Sequence, residues 1–120
     1  MVARTLSKRN ILRSATSIDA VFSSGKKLTY SSCSLYYLSV DSSSDFRVAF
    51  SVGKKTHGLA VNRNRIKRLM REAFRLNIKE YNIVNCNLVF VFFGQDIPSF
   101  VEVEDSIKSL LLSLSKAIES

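Results

Sequence analysis

The sequence predicts an α+β fold, one sheet covered by helices. It is read as a single domain over residues 1–120, with a flexible basic arm at 1–14 and a core at about 15–118. Three observations carry this prediction. Ile66, Leu69, Met70, Ala73, Phe74 and Ile78 recur at i, i+3, i+4, i+7, i+8 and i+12, one apolar stripe on an α-helix. Phe46, Val48, Phe50 and Val52 alternate with Arg47, Ala49 and Ser51, the period of a strand with one buried face. Leu88 to Phe93 is continuously apolar, as in a strand buried on both faces near the middle of a sheet. A chain of 120 residues that is 46% hydrophobic suffices for one core.

Taken in order, Met1 to Ser14 is polar and basic with no stable period, hence the arm. Thr16 followed by Asp19 has the form of a capping box, and Ile18, Val21 and Phe22 line one side of a short helix. Gly25 ends it, free to take the left-handed conformation. Leu28 to Tyr30 and Cys33 to Val40 read as β, as two segments or as one strand interrupted at Ser31-Ser32. Asp41 to Asp45 is a turn by composition, so 33–40 and 46–52 are expected to pair as a hairpin. The Arg47-Ala49-Ser51 side is small and polar, open to solvent or to a ligand. Gly53 to Gly58 is a loop with two lysines, and its His57 is expected to be a solvated loop residue. The striped helix runs from about Ala60 to Glu80. After the strand at 88–93, Ser99 and Glu102 form a second capping box. Val103, Ile107, Leu110, Leu111 and Leu114 then continue helically to about Ile118. The residues alone read α-β-β-α-β-α; strand order does not follow from them.

The charge narrows the function. The net charge is +8, and it is uneven. Residues 1–27 hold six bases against Asp19, and residues 62–79 hold seven against Glu72, whereas residues 80–120 hold two bases against six acids. Bases gathered into blocks are the footprint of a nucleic-acid binder. Arg63, Arg65, Lys67, Arg68 and Arg71 fall within about two and a half helical turns. Arginine forks match phosphate oxygens, and a face so uniformly cationic suits phosphate contact better than base readout. No triad, no phosphate loop and no set of strand-end carboxylates for two metals is present, so the sequence points to binding, with catalysis supplied by something else. Cys33 and Cys86 have no metal-ligand spacing and read as free thiols in a reducing cytoplasm. Residues 1–27 lack the apolar core of a signal peptide, and no run is long enough to span a bilayer.

The stretch Asn62 to Arg75, Asn-Arg-Asn-Arg-Ile-Lys-Arg-Leu-Met-Arg-Glu-Ala-Phe-Arg, resembles the signature of the bacterial ribonuclease P protein subunit. Arg47 to Lys55 is similar to the strand and Lys-Lys turn that precede that signature. Asp19 to Phe22 with Gly25 is similar to the family's first helix, and Leu35-Tyr36 to its first strand. The likeness covers roughly residues 6 to 118. It implies a single-domain α-β-β-β-α-β-α sandwich with a central mixed sheet and a left-handed β-α-β crossover, the 28–40 region supplying two strands. It also implies a basic partner of a catalytic RNA. That RNA, with bound Mg2+, removes the 5′ leader of precursor tRNA. By the resemblance, Arg63, Asn64, Arg65, Lys67, Arg68 and Arg71, with Lys54 and Lys55, meet RNA, and Ile18, Phe22, Tyr36 and Ser51 line a cleft for the leader. No residue of this chain is implied to be catalytic or to hold metal, and neither a membrane nor an oligomer is required. Ile18 stands where the family commonly has Phe. A ribosomal-type structural RNA-binding protein is the alternative that the same charge map allows.

Overall fold

The computed structural model describes residues 10–40 and 45–119. It contains helices α1 (Ala15–Ser24), α2 (Ala60–Asn77) and α3 (Phe100–Glu119), and strands β1 (Lys26–Tyr30), β2 (Cys33–Ser39), β3 (Arg47–Val52) and β4 (Cys86–Phe92). Their order is α1-β1-β2-β3-α2-β4-α3, with a 3-10 turn at Ile78–Glu80 after α2. The four strands make one mixed sheet in the order β1-β2-β4-β3, antiparallel except for the parallel β3–β4 pair.

This order corrects the hairpin expected between 33–40 and 46–52. β4 lies between those strands, with Phe90 opposite Leu35 on one side and Phe50 on the other. The physical reason is burial. β4 is apolar on both faces and loses most by sitting at an edge, whereas β2 and β3 each carry a more polar face. The hairpin that forms joins β1 to β2 around Ser31 and Ser32, with Ser31 at φ 55°. The turn expected at 41–45 falls mostly on residues outside those described.

β3, α2 and β4 form a β-α-β unit, and its hand can be read from the backbone. Val48 packs in the cluster that holds Ile66 and Phe74 of α2. Its carbonyl accepts from the Leu12 N–H at 2.9 Å, on the edge away from β4. Viewed from α2 with the strand running upward, an L-residue facing the viewer turns its N–H and C=O to the right. The outer edge is therefore on the right and β4 on the left, so the crossover is left-handed, against the usual right-handed default.

The sheet has a core on each face. On one, Leu35, Val48, Leu88 and Phe90 meet Ile66, Met70 and Phe74 of α2 and Ile107, Leu111 and Leu114 of α3. Phe74 sits at the centre, edge-on to Phe46, Phe50 and Phe90 at 5.5, 5.8 and 5.6 Å. Asn77, buried at the end of α2, donates to Ala73 O at 2.7 Å and to Glu104 Oε2 at 3.1 Å, which ties α2 to α3. On the other face, Leu12 and Val21 cover Val89. Ser99 and Glu102 form the reciprocal capping box expected for α3, at 2.9 and 3.2 Å.

Three local expectations change. The cap of α1 is Ser14, whose Oγ accepts from the Ser17 N–H at 3.3 Å, and Thr16 lies inside the helix. Gly25 has φ −81°, not a left-handed value. It is required by proximity instead, since a Cβ there would stand 2.4 Å from Val21 O and 2.5 Å from Tyr37 O. Residues 10–12, expected within the arm, pack on the sheet. Ile11 bridges to Val48, Leu12 is buried, and Asn10 Nδ2 donates to Phe46 O at 2.9 Å. The rest of the expected arm, residues 1–9, lies outside the described residues.

Cys33 and Cys86 are free and buried. Burial pushes the Cys33 thiol from 9.0 up to about 11, against a smaller opposing effect of the Ser106 hydrogen bond, and burial raises Cys86 as well. A thiol raised in the fold favours its protonated form there. The stability it contributes is complete below about pH 9 and is lost as pH rises toward about 11. Urea unfolding on either side of pH 9 is expected to show that loss. At neutral pH both thiols should react with a disulfide reagent only on unfolding.

Candidate nucleic-acid interface

α2 begins without a side-chain cap after Leu59, and its first turn has no acid. Its exposed N–H groups and positive dipole end therefore add to the charge of its side chains. Asn64, Lys67, Arg68 and Arg71 follow at i, i+3, i+4 and i+7, one stripe beside the buried one. With Ile11, Leu12, Ile18 and Val48 to Phe50 they line an open groove of about 480 Å³ along the outer edge of β3. Among the described residues, Lys67, Arg68 and Arg71 make no hydrogen bond or ion pair. Arg75 differs: it forks onto Glu72 at 2.6 and 2.9 Å and, by hydrogen bonding, holds that carboxyl below the usual carboxylate range.

The structure divides the predicted cationic set. Asn64, Lys67, Arg68 and Arg71 share the groove, and Arg65 is exposed outside its lining. Lys54 and Lys55 are exposed in the loop before α2. Arg63 points back along the chain, its Nη1 donating to His57 O at 3.0 Å and Gly58 O at 2.8 Å.

The predicted cleft residues share the α1 side of the sheet. The register sets Lys27, Tyr36, Val89 and Ala49 in one row and Thr29, Ser34, Val91 and Ser51 in the next. Phe22, 42% exposed, meets Tyr36 edge-on at 4.8 Å. Ile18 stands on the groove side of α1, so it joins the aromatic pair to the cationic stripe. Two residues here were missed from sequence. Lys27 holds its Nζ 5.5 Å from the centre of the Tyr36 ring, a contact that depends on hairpin register. Phe93, 46% exposed, continues the alternation of Val89 and Val91, a signal the apolar run did contain. His57 was also misjudged: it is 6% exposed and packs beside Phe92.

Among the described residues, no three His, Cys, Asp or Glu side chains gather as a metal site, and no helix is long and apolar enough to cross a membrane. What the surface offers is cationic forks, aromatic rings and small polar groups along one continuous track.

Fold and groove together define a small α+β protein built around an unpaired cationic helix face. A family model described as Ribonuclease P matches residues 6–115. The chain is 32% identical to the ribonuclease P protein component of Porphyromonas gingivalis, over 96% of this chain and 90% of that one. It is 34% identical to that of Clostridioides difficile, over 83% and 87%. The fold is similar to the RNase P protein of Staphylococcus aureus (TM-score 0.72, 22% identity, 89% of this chain and 95% of that one). It is equally similar to that of Thermotoga maritima (TM-score 0.73, 24% identity, 84% and 94%). The chain belongs to the ribonuclease P protein family, and so is a protein component of that ribonuclease.

Proposed function

We propose that this chain binds the catalytic RNA of ribonuclease P and the single-stranded 5′ leader of precursor tRNA, and so supports Mg-dependent endonucleolytic maturation of tRNA 5′ ends. The observation that carries the reading is the groove in which Lys67, Arg68 and Arg71 stand unpaired beside Ile18 and the α1 face of the sheet. Unpaired cations without acidic partners favour a polyanion over a protein partner of mixed charge. Phe22 and Tyr36 offer ring surface to bases of any sequence, as a leader that differs between tRNAs demands. Magnesium takes hard oxygen donors, and the described residues do not gather carboxylates to supply them. In this reading the ion is held mainly by the RNA, which also carries the catalysis. Buried free thiols fit a cytoplasmic setting.

Reconstitution tests this. The protein alone is expected to leave precursor tRNA intact, and added to its own catalytic RNA at low magnesium it restores 5′ cleavage. Cleavage by the protein alone, or no rescue of that RNA, would overturn the proposal.

A further inference from the structure

His57 and Arg63 are engaged with the fold in a way that phosphate binding does not explain. Three hydrogen-bonding groups of His57, its backbone N–H, its backbone carbonyl and its ring Nε2, are each taken within the fold. Its N–H donates to Gly53 O at 3.0 Å, closing the lysine loop on itself. Its ring Nε2 lies 2.8 Å from Gly94 O just beyond β4, and since a carbonyl only accepts, that nitrogen carries the proton. Its own carbonyl accepts from Arg63, whose Nη1 also reaches Gly58 O. The residue is 6% exposed, its ring beside Phe92, although Lys54, Lys55, Gly58 and Leu59 around it are exposed.

We propose that His57 and Arg63 are positioning residues: they clasp the Lys54–Lys55 loop to the end of β4 and the start of α2, so that the loop lysines and the α2 cations form one preformed surface for RNA. This rests on the RNA-binding reading above and changes the role of Arg63 within it. The physical case is entropic. The loop carries two glycines and two long cationic side chains, which would otherwise lose much freedom on binding. Fixing the backbone beforehand lowers that cost. Both carbonyls are held by Nη1, which fixes the direction of the Arg63 side chain back toward the loop.

A double-mutant cycle on affinity for the catalytic RNA tests the clasp. His57→Phe keeps the packing on Phe92 and removes the donor, whereas His57→Gln keeps a donor. Arg63→Met keeps the stem and removes the fork. His57→Phe and Arg63→Met are each expected to weaken binding roughly three- to tenfold, and His57→Gln to stay near the parent. In a background with both Lys54→Ala and Lys55→Ala, Arg63→Met should cost less than about twofold more, because it acts through those lysines. An undiminished loss there makes Arg63 a direct RNA contact and overturns the proposal, as does full affinity in both His57→Phe and Arg63→Met. Amide hydrogen exchange of residues 53–58 in the free protein gives a readout independent of RNA. His57→Phe and Arg63→Met should speed it and His57→Gln should not; unchanged exchange in the first two overturns the clasp. Arg68→Ala separates the two readings. If it too leaves RNA affinity unchanged, the RNA-binding reading fails, and the exchange data alone decide the clasp. If His57→Phe does not fold, Arg63→Met carries both arms.

Discussion

Phe74→Ala is expected to cost about 3–5 kcal/mol of folding stability. Phe74 is fully buried and meets three rings, Phe46, Phe50 and Phe90. Those rings come from the entrance to β3, from β3 itself and from β4, so the residue joins α2 to both parallel strands at once. Truncation removes the ring's transfer energy and leaves a void that cannot close easily, because its walls belong to paired strands. The consequence reaches the groove, whose cations ride on the same helix. Phe74→Leu, which refills most of the volume, should cost under about 2 kcal/mol. Urea unfolding measures both. A loss below about 1 kcal/mol for the alanine variant would mean that α2 is held mainly elsewhere, for instance through Asn77 and α3.

What was legible in the sequence is what local chemistry determines. The stripe of α2, the double-sided burial of β4 and the Ser99–Glu102 box each follow from residues within a few positions of one another, and the structure has all three. What was illegible depends on distant partners. The insertion of β4 between β2 and β3 is decided by which strand loses most at an edge, and alternation in β2 and β3 does not encode that comparison. Ile11 and Leu12 looked like arm because two apolar residues make no period, yet Val48 offers them a backbone bridge. Gly25 has the usual signature of a helix stop. Its actual constraint is the Tyr37 carbonyl, which lies on another strand.

The candidate site was legible in the same partial way. The cations were found because α2 is one helix, and helical spacing places Asn64, Lys67, Arg68 and Arg71 on one stripe without tertiary knowledge. Which of the neighbouring bases the fold keeps for itself was not readable. Arg63 bends back to the loop and Arg75 pairs with Glu72, and in sequence both look like members of the same cationic run. The left-handed crossover came only from family likeness. Period and composition are indifferent to hand, whereas the Leu12–Val48 hydrogen bond fixes which edge of β3 faces away from β4 and so reveals it.

Replacing Lys67, Arg68 and Arg71 together by alanine should weaken binding to the catalytic RNA roughly a hundredfold or more at moderate salt. It should also flatten the salt dependence by roughly two to three units of slope, about 0.7–0.9 for each phosphate contact removed. Folding should change little, because Arg68 and Arg71 are exposed, Lys67 is half-buried at the groove, and none has a partner to lose among the described residues. Arg75→Ala supplies the contrast. Its guanidinium is spent on Glu72, so it should leave the slope near the parent value even though it adds to the same net charge. Arg65→Ala tests the outer face, where a loss of slope would show that RNA extends past the groove lining. If Arg75→Ala flattened the slope as much as Arg68→Ala, binding would follow total charge, and the groove would have no privileged part in it. The salt series separates these cases because Arg68 and Arg75 carry the same charge, while only Arg68 lines the groove and only Arg75 is paired with Glu72.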